Sequence, residues 1–317
     1  MERLWKTACF LMALSVVAAF PHATRAEEIG VILPGRNQKF FQALEKGMTQ
    51  AGRDLDVKIL NRSPDDGATL TTPGNLQLQL IHYMIERKVS AIILAPEPLK
   101  DVSSPVSVPV PLVLIDRDGP QFKALSTIST DNFAAGRKAA LAMAPMVPAR
   151  ARVMVLRLAA NIPSTTQRED GFLSVAKEKG WIVLSESHVG FHPREVEARF
   201  SEMLAHTAGR PDMVFAPNES VTMGALFVLE KLPPASRPRF AGFDWRPEFR
   251  TAMEAGILDA MVLQDAEAMG YRSLEMVVAA CRGKDIPNRV SIDVAIATRA
   301  NMNAPDIRAL MRNYEER

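Results

Sequence analysis

The chain nearly repeats itself, and a repeat that keeps its order favours a fold built from two copies of one unit. Gly47 to Leu60 reads GMTQAGRDLDVKIL and Gly171 to Leu184 reads GFLSVAKEKGWIVL, each a helix end, a polar turn and a strand. Further on, Ala91 to Glu97 reads AIILAPE while Asp212 to Glu219 reads DMVFAPNE. Ile115-Asp116-Arg117 then ends one apolar run and Phe243-Asp244-Trp245 ends another. The matches keep their order, with 48 residues from Gly47 to Ala95 against 45 from Gly171 to Ala216. One such match is within the reach of chance, because short helix-strand units look alike. Three in register favour duplication.

Each copy alternates short β-branched runs with amphipathic stretches. Strands are expected at Ile29 to Leu33, Val57 to Leu60, Ala91 to Leu94, Leu112 to Ile115 and Leu125 to Thr130. A second series covers Arg152 to Leu158, Ile182 to Glu186, Asp212 to Ala216, Arg239 to Phe243 and Leu258 to Leu263. Helical patterns separate most of them, at Phe40 to Leu55, Asn75 to Arg87, Asn132 to Met146, Thr165 to Gly180 and Ala266 to Arg282. Near-continuous apolar strands joined by helices mean parallel sheets covered on both faces. The fold class is α/β, with two Rossmann-like lobes.

The first residues stand apart from this pattern. Arg3 and Lys6 precede an uncharged, largely apolar run from Thr7 to Phe20, followed by Pro21 and the triplet Thr24-Arg25-Ala26. That order is a secretory signal, too short for a comfortable membrane span, with cleavage expected after Ala26. Cys9 precedes most of the apolar run, which argues against a lipid anchor. The lost segment holds Arg3, Lys6 and Arg25 against Glu2, so the net charge of +2 falls to zero. A balanced chain exerts no long-range pull on nucleic acid or anionic lipid. Of the two cysteines only Cys281 survives cleavage, so no intramolecular disulfide can form. With 47% apolar residues, stability comes from a buried core.

In open parallel sheets, ligands bind beyond the carboxyl ends of the strands. Asp116 and Asp244 occupy such ends in the two copies, so facing lobes would bring two carboxylates to one cleft. Arg117, Asn218 and Gln264 lie beside strand ends, Phe40 and Phe41 follow the first strand's loop, and Phe191 follows the strand ending near Glu186. A carboxylate accepts two neighbouring hydroxyls, arginine offers a planar fork of donors, amides do both, and phenyl rings cover the apolar face of a sugar. The set suits a small polyol. Taken singly, each residue has a plainer reading: helix caps for the aspartates, core for the phenylalanines, solvated ion pairs for Arg117 and Arg168.

Catalytic signatures are scarce. There is no Gly-rich phosphate loop of standard spacing, no His-Glu-x-x-His, no cysteine pair for zinc and no Gly-x-Ser-x-Gly turn. His188 and His192 are spaced as a two-ligand metal pair, but they straddle Gly190 in an expected loop, so no metal or cofactor is expected. The methionines, such as Met253, Met261, Met269 and Met276, read as core filler.

These residues together resemble the periplasmic sugar-binding proteins of the ribose-binding type, the type I solute receptors of bacterial ABC importers. The landmarks are GVILPGRNQKFFQALEKG at Gly30 to Gly47, LIDR at Leu114 to Arg117, STDNFAAGR at Ser129 to Arg137, QREDGF at Gln167 to Phe172, FAPNESVTMGAL at Phe215 to Leu226, GFD at Gly242 to Asp244, and Gln264. The resemblance runs from Ile29 to about Asn301. It implies the type I fold, in which two lobes are joined by a three-strand hinge, with crossings near Thr130, Gln264 and Asp293. Residues 1–26 are then the signal peptide, 27–130 plus 265–292 the N-terminal lobe, and 131–264 plus 293–317 the C-terminal lobe.

The resemblance also implies roles by position. Phe40, Phe41 and Phe191 match aromatic walls, and Asp116 and Arg117 match the pair that takes ring hydroxyls. Arg168, Asn218, Asp244 and Gln264 match polar contacts of the second lobe and hinge, with Asn132 close to the hinge. Two positions depart: Gln38 stands where an Asn is usual, and Ala95 replaces a polar Asn, leaving one pentose hydroxyl unserved and ribose itself doubtful. Trp245 either closes part of the pocket or packs, and Asn303 to Glu316 is an expected helix of unread role.

The implied function is that of a non-enzymatic, monomeric, exported receptor that captures a sugar or sugar-like polyol, closes about its hinge and presents it to an ABC permease. The alternatives are a sensing subunit for a histidine kinase or chemoreceptor and a secreted glycosidase using Asp116 and Asp244. A sugar-responsive repressor is disfavoured, because an export signal stands where a DNA-binding helix pair would be.

Overall fold

The structure, a computed structural model, describes residues 27–64, 76–99, 102, 104–160 and 162–315. The expected export segment through Ala26 with Cys9, the helix start at Asn75, and Glu316 lie outside them. The first half runs β1 (Glu28–Ile32), α1 (Lys39–Leu55), β2 (Lys58–Asn61), α2 (Leu76–Glu86), β3 (Ala91–Leu94), β4 (Leu112–Ile115) and β5 (Ser126–Thr130). The second runs α3 (Asn132–Met143), β6 (Arg152–Val155), α4 (Pro163–Glu178), β7 (Ile182–Ser185), α5 (Pro193–His206), β8 (Met213–Phe215), α6 (Glu219–Leu229), β9 (Arg239–Phe243), α7 (Pro247–Glu254) and β10 (Ala260–Gln264). It closes with α8 (Ala266–Cys281), β11 (Arg289–Ile292), β12 (Val294–Thr298) and α9 (Pro305–Glu315).

Two sheets result, in the orders β2-β1-β3-β4-β5-β11 and β7-β6-β8-β9-β10-β12. The orders are the same once strands are matched copy to copy, which is the architecture the internal repeat requires. All pairings are parallel except β12 on β10. That departure from all-parallel sheets has a simple cause: β12 follows β11 after a single residue, Asp293, and enters the second sheet with no helix to reverse its direction. Central strands β3 and β4 are buried along their whole length, as helices on both faces demand.

Each lobe packs one helix from its own first βα unit against one that has crossed over. α1 lies on α8 and α4 lies on α3. Backbones touch there, because a Cβ on Gly136 would run into the carbonyl of Arg168, and one on Gly270 into the carbonyl of Leu44. Those crossing helices have matching starts, with Asp131 accepting from the backbone N–H of Ala134 and Asp265 from that of Ala268, each at 3.0 Å. The chain passes between the sheets after Thr130, after Gln264 and after Ile292. Where the sequence pattern runs a helix on to Met146, Pro145 ends α3 and Ala144–Met146 tightens into a 3-10 turn.

Candidate functional site

A cavity of about 240 Å³ lies at the carboxyl ends of both sheets, lined from both lobes. That is about eight liquid waters by volume, scaled to a small molecule. Ten of the eleven residues singled out from sequence line it: Gln38, Phe40, Phe41, Asp116, Arg117, Arg168, Phe191, Asn218, Asp244 and Gln264. Asn132 does not. It is buried at the start of α3, where its Oδ1 accepts from Arg168 Nε at 2.8 Å, so it positions the arginine instead of facing the cavity.

The aspartates owe their direction to the backbone. Asp116 and Asp244 both adopt left-handed conformations, φ 73° and 69°. Their N–H groups still bond to the neighbouring strand, at Ile128 and Val262, each at 2.9 Å. The chain therefore turns at the last bonded residue, in a conformation that Asp tolerates better than most side chains. Strain of this kind gathers at binding sites. Neither aspartate caps its own following helix.

Each carboxylate has a guanidinium partner, supplied differently. Arg117 donates to the adjacent Asp116 through Nε at 2.7 Å and Nη2 at 2.6 Å, and through Nη1 to Glu97 Oε1 at 3.0 Å. Burial opposes the charge on Arg117, but Asp116 and Glu97 outweigh it and its pKa ends raised. Arg168 reaches across from α4. Its Nη1 donates to the Pro217 carbonyl at 3.0 Å and sits 3.9 Å from Asp244 Oδ2, and its guanidinium carbon lies over the Phe243 ring, 3.8 Å from the ring centre. Burial lowers the Arg168 pKa despite Asp244. Burial likewise raises Asp244 despite Arg168.

Asp244 is held from two further sides. Its Oδ1 accepts from Gln264 Nε2 at 2.6 Å and its Oδ2 from the Glu219 N–H at 3.2 Å, the first donor of α6. Gln264 in turn accepts at Oε1 from Thr130 Oγ1 at 2.7 Å, which assigns its amide orientation and links two crossing strands through one side chain. Asn218 caps α6, accepting from the Val221 N–H at 3.0 Å, so what it offers the cavity is its amide donors.

The two phenylalanines of α1 meet edge to face at 5.3 Å between ring centres, and both are almost fully buried. Phe191 is one-third exposed at the opposite wall. Trp245 is not at the cavity. Its indole is buried, donates to Glu315 Oε1 at 3.0 Å and packs on Phe249. The expected C-terminal helix is present as α9, where Tyr314 also donates to the Gln264 carbonyl at 2.8 Å. This helix braces the segment that carries Gln264.

Sequence reasoning missed several cavity residues: Asn37, Ser164, Thr165, His192, Glu219, Arg246 and above all Glu97. Ala95, read as the site of a missing polar contact, does not line the cavity; Glu97, two residues on, does. The signal was in the repeat, since AIILAPE aligned with MVFAPN sets Glu97 opposite Asn218. His188 pairs by backbone with Arg157, away from His192, and among the described residues no group of three or more candidate ligands is placed to hold a metal. No helix among the described residues is long and apolar enough to cross a membrane.

A family model described as a periplasmic binding protein domain matches residues 29–285. The chain belongs to that family. It is 25% identical over 277 residues to the ribose import binding protein of Bacillus subtilis (strain 168), covering 85% of this chain and 87% of that one. Among solved structures it resembles the periplasmic component of an ABC-type sugar transport system from Hahella chejuensis, at 27% identity and a TM-score of 0.75, covering 86% and 99%. A carbohydrate transporter solute-binding protein from Agrobacterium radiobacter, in complex with D-arabinose, shares the fold at a TM-score of 0.80 and 23% identity, covering 91% of this chain and 100% of that one. These relatives are binding proteins of transport systems, not enzymes, and the glycosidase alternative falls with that finding.

Proposed function

We propose that this periplasmic binding protein captures a sugar or sugar-like polyol between its lobes, closes about the three crossings and delivers the ligand, as an exported monomer freed of residues 1–26, to an ABC permease. One observation carries the reading: equivalent strand-tip aspartates of the two copies, each paired with an arginine, line one small cavity together with Phe40, Phe41 and Phe191. Carboxylate and guanidinium groups side by side offer acceptors and donors to adjacent hydroxyls, each charged hydrogen bond contributing about 1.5–3 kcal/mol. The rings cover the C–H face. The transport role of the relatives supports the delivery step.

The experiment is a thermal-shift screen of residues 27–317 against pentoses, hexoses and polyols, followed by calorimetry on each hit. A ligand that binds only the folded form raises the melting point, by an amount that grows with concentration over Kd. A saturable rise with 1:1 stoichiometry supports the reading. No saturable rise with any pentose, hexose or polyol would overturn it.

A further inference from the structure

We infer that the ligand carries a protonated amino group and that Glu97 receives it, so that the substrate class is an amino sugar or amino polyol. This rests on the small-polyol reading above. Glu97 is 4% exposed at the cavity wall; its Oε1 takes Arg117 Nη1, while its Oε2 is buried and has no hydrogen-bond partner among the described residues. A buried carboxylate oxygen left without a donor is costly, and native structures rarely keep one without a use.

The position is also built, not incidental. Gln77, itself buried, donates through Nε2 to the Ala95 carbonyl at 2.7 Å and accepts at Oε1 from the Glu97 N–H at 2.8 Å. That clamp fixes the backbone on both sides of Pro96. Across the cavity the repeat places Asn218, a neutral amide, at the matching position. The two copies therefore differ in charge where they correspond in place.

Charge decides which donor fits. Among the described residues four carboxylates line the cavity, Glu97, Asp116, Glu219 and Asp244, against three guanidinium groups, Arg117, Arg168 and Arg246, and no lysine. Arg168 faces Asp244, and Arg246 pairs with Glu219 inside the cavity and with Glu248 outside it. Arg117 is divided between Asp116 and Glu97. Counted over those groups the surplus negative charge falls on the side of Glu97, whose pKa is raised by burial against the pull of Arg117, so a second cation is what would favour its ionised form. A hydroxyl would fill the hydrogen bond and leave the charge unmatched; an ammonium does both. An anionic ligand meets repulsion there.

The test is calorimetry on matched pairs differing in one group: D-glucosamine with D-glucose, D-galactosamine with D-galactose, and 1-amino-1-deoxy-D-sorbitol with D-sorbitol, with the N-acetyl forms as neutral controls. At least one amine should bind tenfold or more tighter than its hydroxyl parent, and acetylation should remove the gain. Glu97→Gln, close in shape and checked for an unchanged melting point, should cut the ratio of amine affinity to parent affinity at least tenfold. Parents that bind as tightly as their amines, or a preference that survives in Glu97→Gln, would overturn the inference while leaving the sugar reading in place. Binding by neither class would overturn both.

Discussion

The two lobes share a backbone plan and divide the chemistry between them. The left-handed aspartate, the helix cap after the crossing and the glycine-mediated helix contact occur in both. The side chains aimed at the cavity do not match. Where α1 presents Phe40 and Phe41, the corresponding turn of α4 presents Ser164 and Thr165; where Arg117 follows one aspartate, Trp245 follows the other and turns away into the packing of α7 and α9. The lesson is that duplication preserved what holds the strand tips in place, and that discrimination rests on side chains that no longer correspond. At these matching turns one lobe supplies an aromatic floor and the other a polar roof, with Phe191 the ring that the second lobe adds.

Changes that treat the lobes unequally give the largest expected effects. Arg168→Lys should weaken ligand binding about thirtyfold, because one ammonium cannot hold Asn132 and Pro217 and still serve Asp244 as the planar fork does. Calorimetry against any hit from the screen measures this, and an unchanged Kd would remove Arg168 from the site. Phe41→Ala should cost about tenfold in affinity and about 3 kcal/mol of stability, whereas Thr165→Ala, its counterpart across the repeat, should change affinity less than threefold. Equal effects would erase the floor-and-roof distinction.

Changes to the shared plan should act equally. Gly136→Ala and Gly270→Ala each push a methyl into a facing carbonyl, so denaturant melts should show about 2 kcal/mol lost from either. A loss confined to one lobe would mean that the helix contacts are not equivalent. The smallest effect concerns pH. Burial raises the pKa of Glu169, next to Arg168 on α4, to about 7, against the bonds it accepts from Leu158 and Arg157. The folded protein thus takes up a proton between about pH 7 and 4.5 that the unfolded chain does not. Glu169 therefore detracts from stability above pH 7, and this penalty fades as the pH falls. From about pH 8 to 6.2 the stability of the native chain should gain about 1 kcal/mol relative to Glu169→Gln. No difference in slope would contradict the assignment.

Much of this was legible before any coordinates. The α/β class, the duplication and the aspartates follow from local pattern, because an acid at the end of an apolar strand has few places to point once the sheet is parallel. The rest depended on direction, which spacing does not carry. Asn132 is near the hinge in sequence but turns toward Arg168, since the helix that begins there places its first side chain along α4. Trp245 follows the left-handed aspartate, whose turn sends the indole to α9, and nothing in the flanking residues marks that choice. Glu97 was hidden by attention to Ala95, although the repeat itself set it opposite Asn218.

The central claim is that one ligand is held by both lobes at once, and the direct measurement is a calorimetric cycle on Asp116→Asn, Asp244→Asn and the pair. Asparagine keeps the left-handed turn, so the carboxylate charge alone is tested. One ligand per chain in the native protein, with each single variant losing at least a hundredfold, is the predicted result. Wild-type affinity in either single variant, or two independent sites each abolished by one substitution, would contradict it.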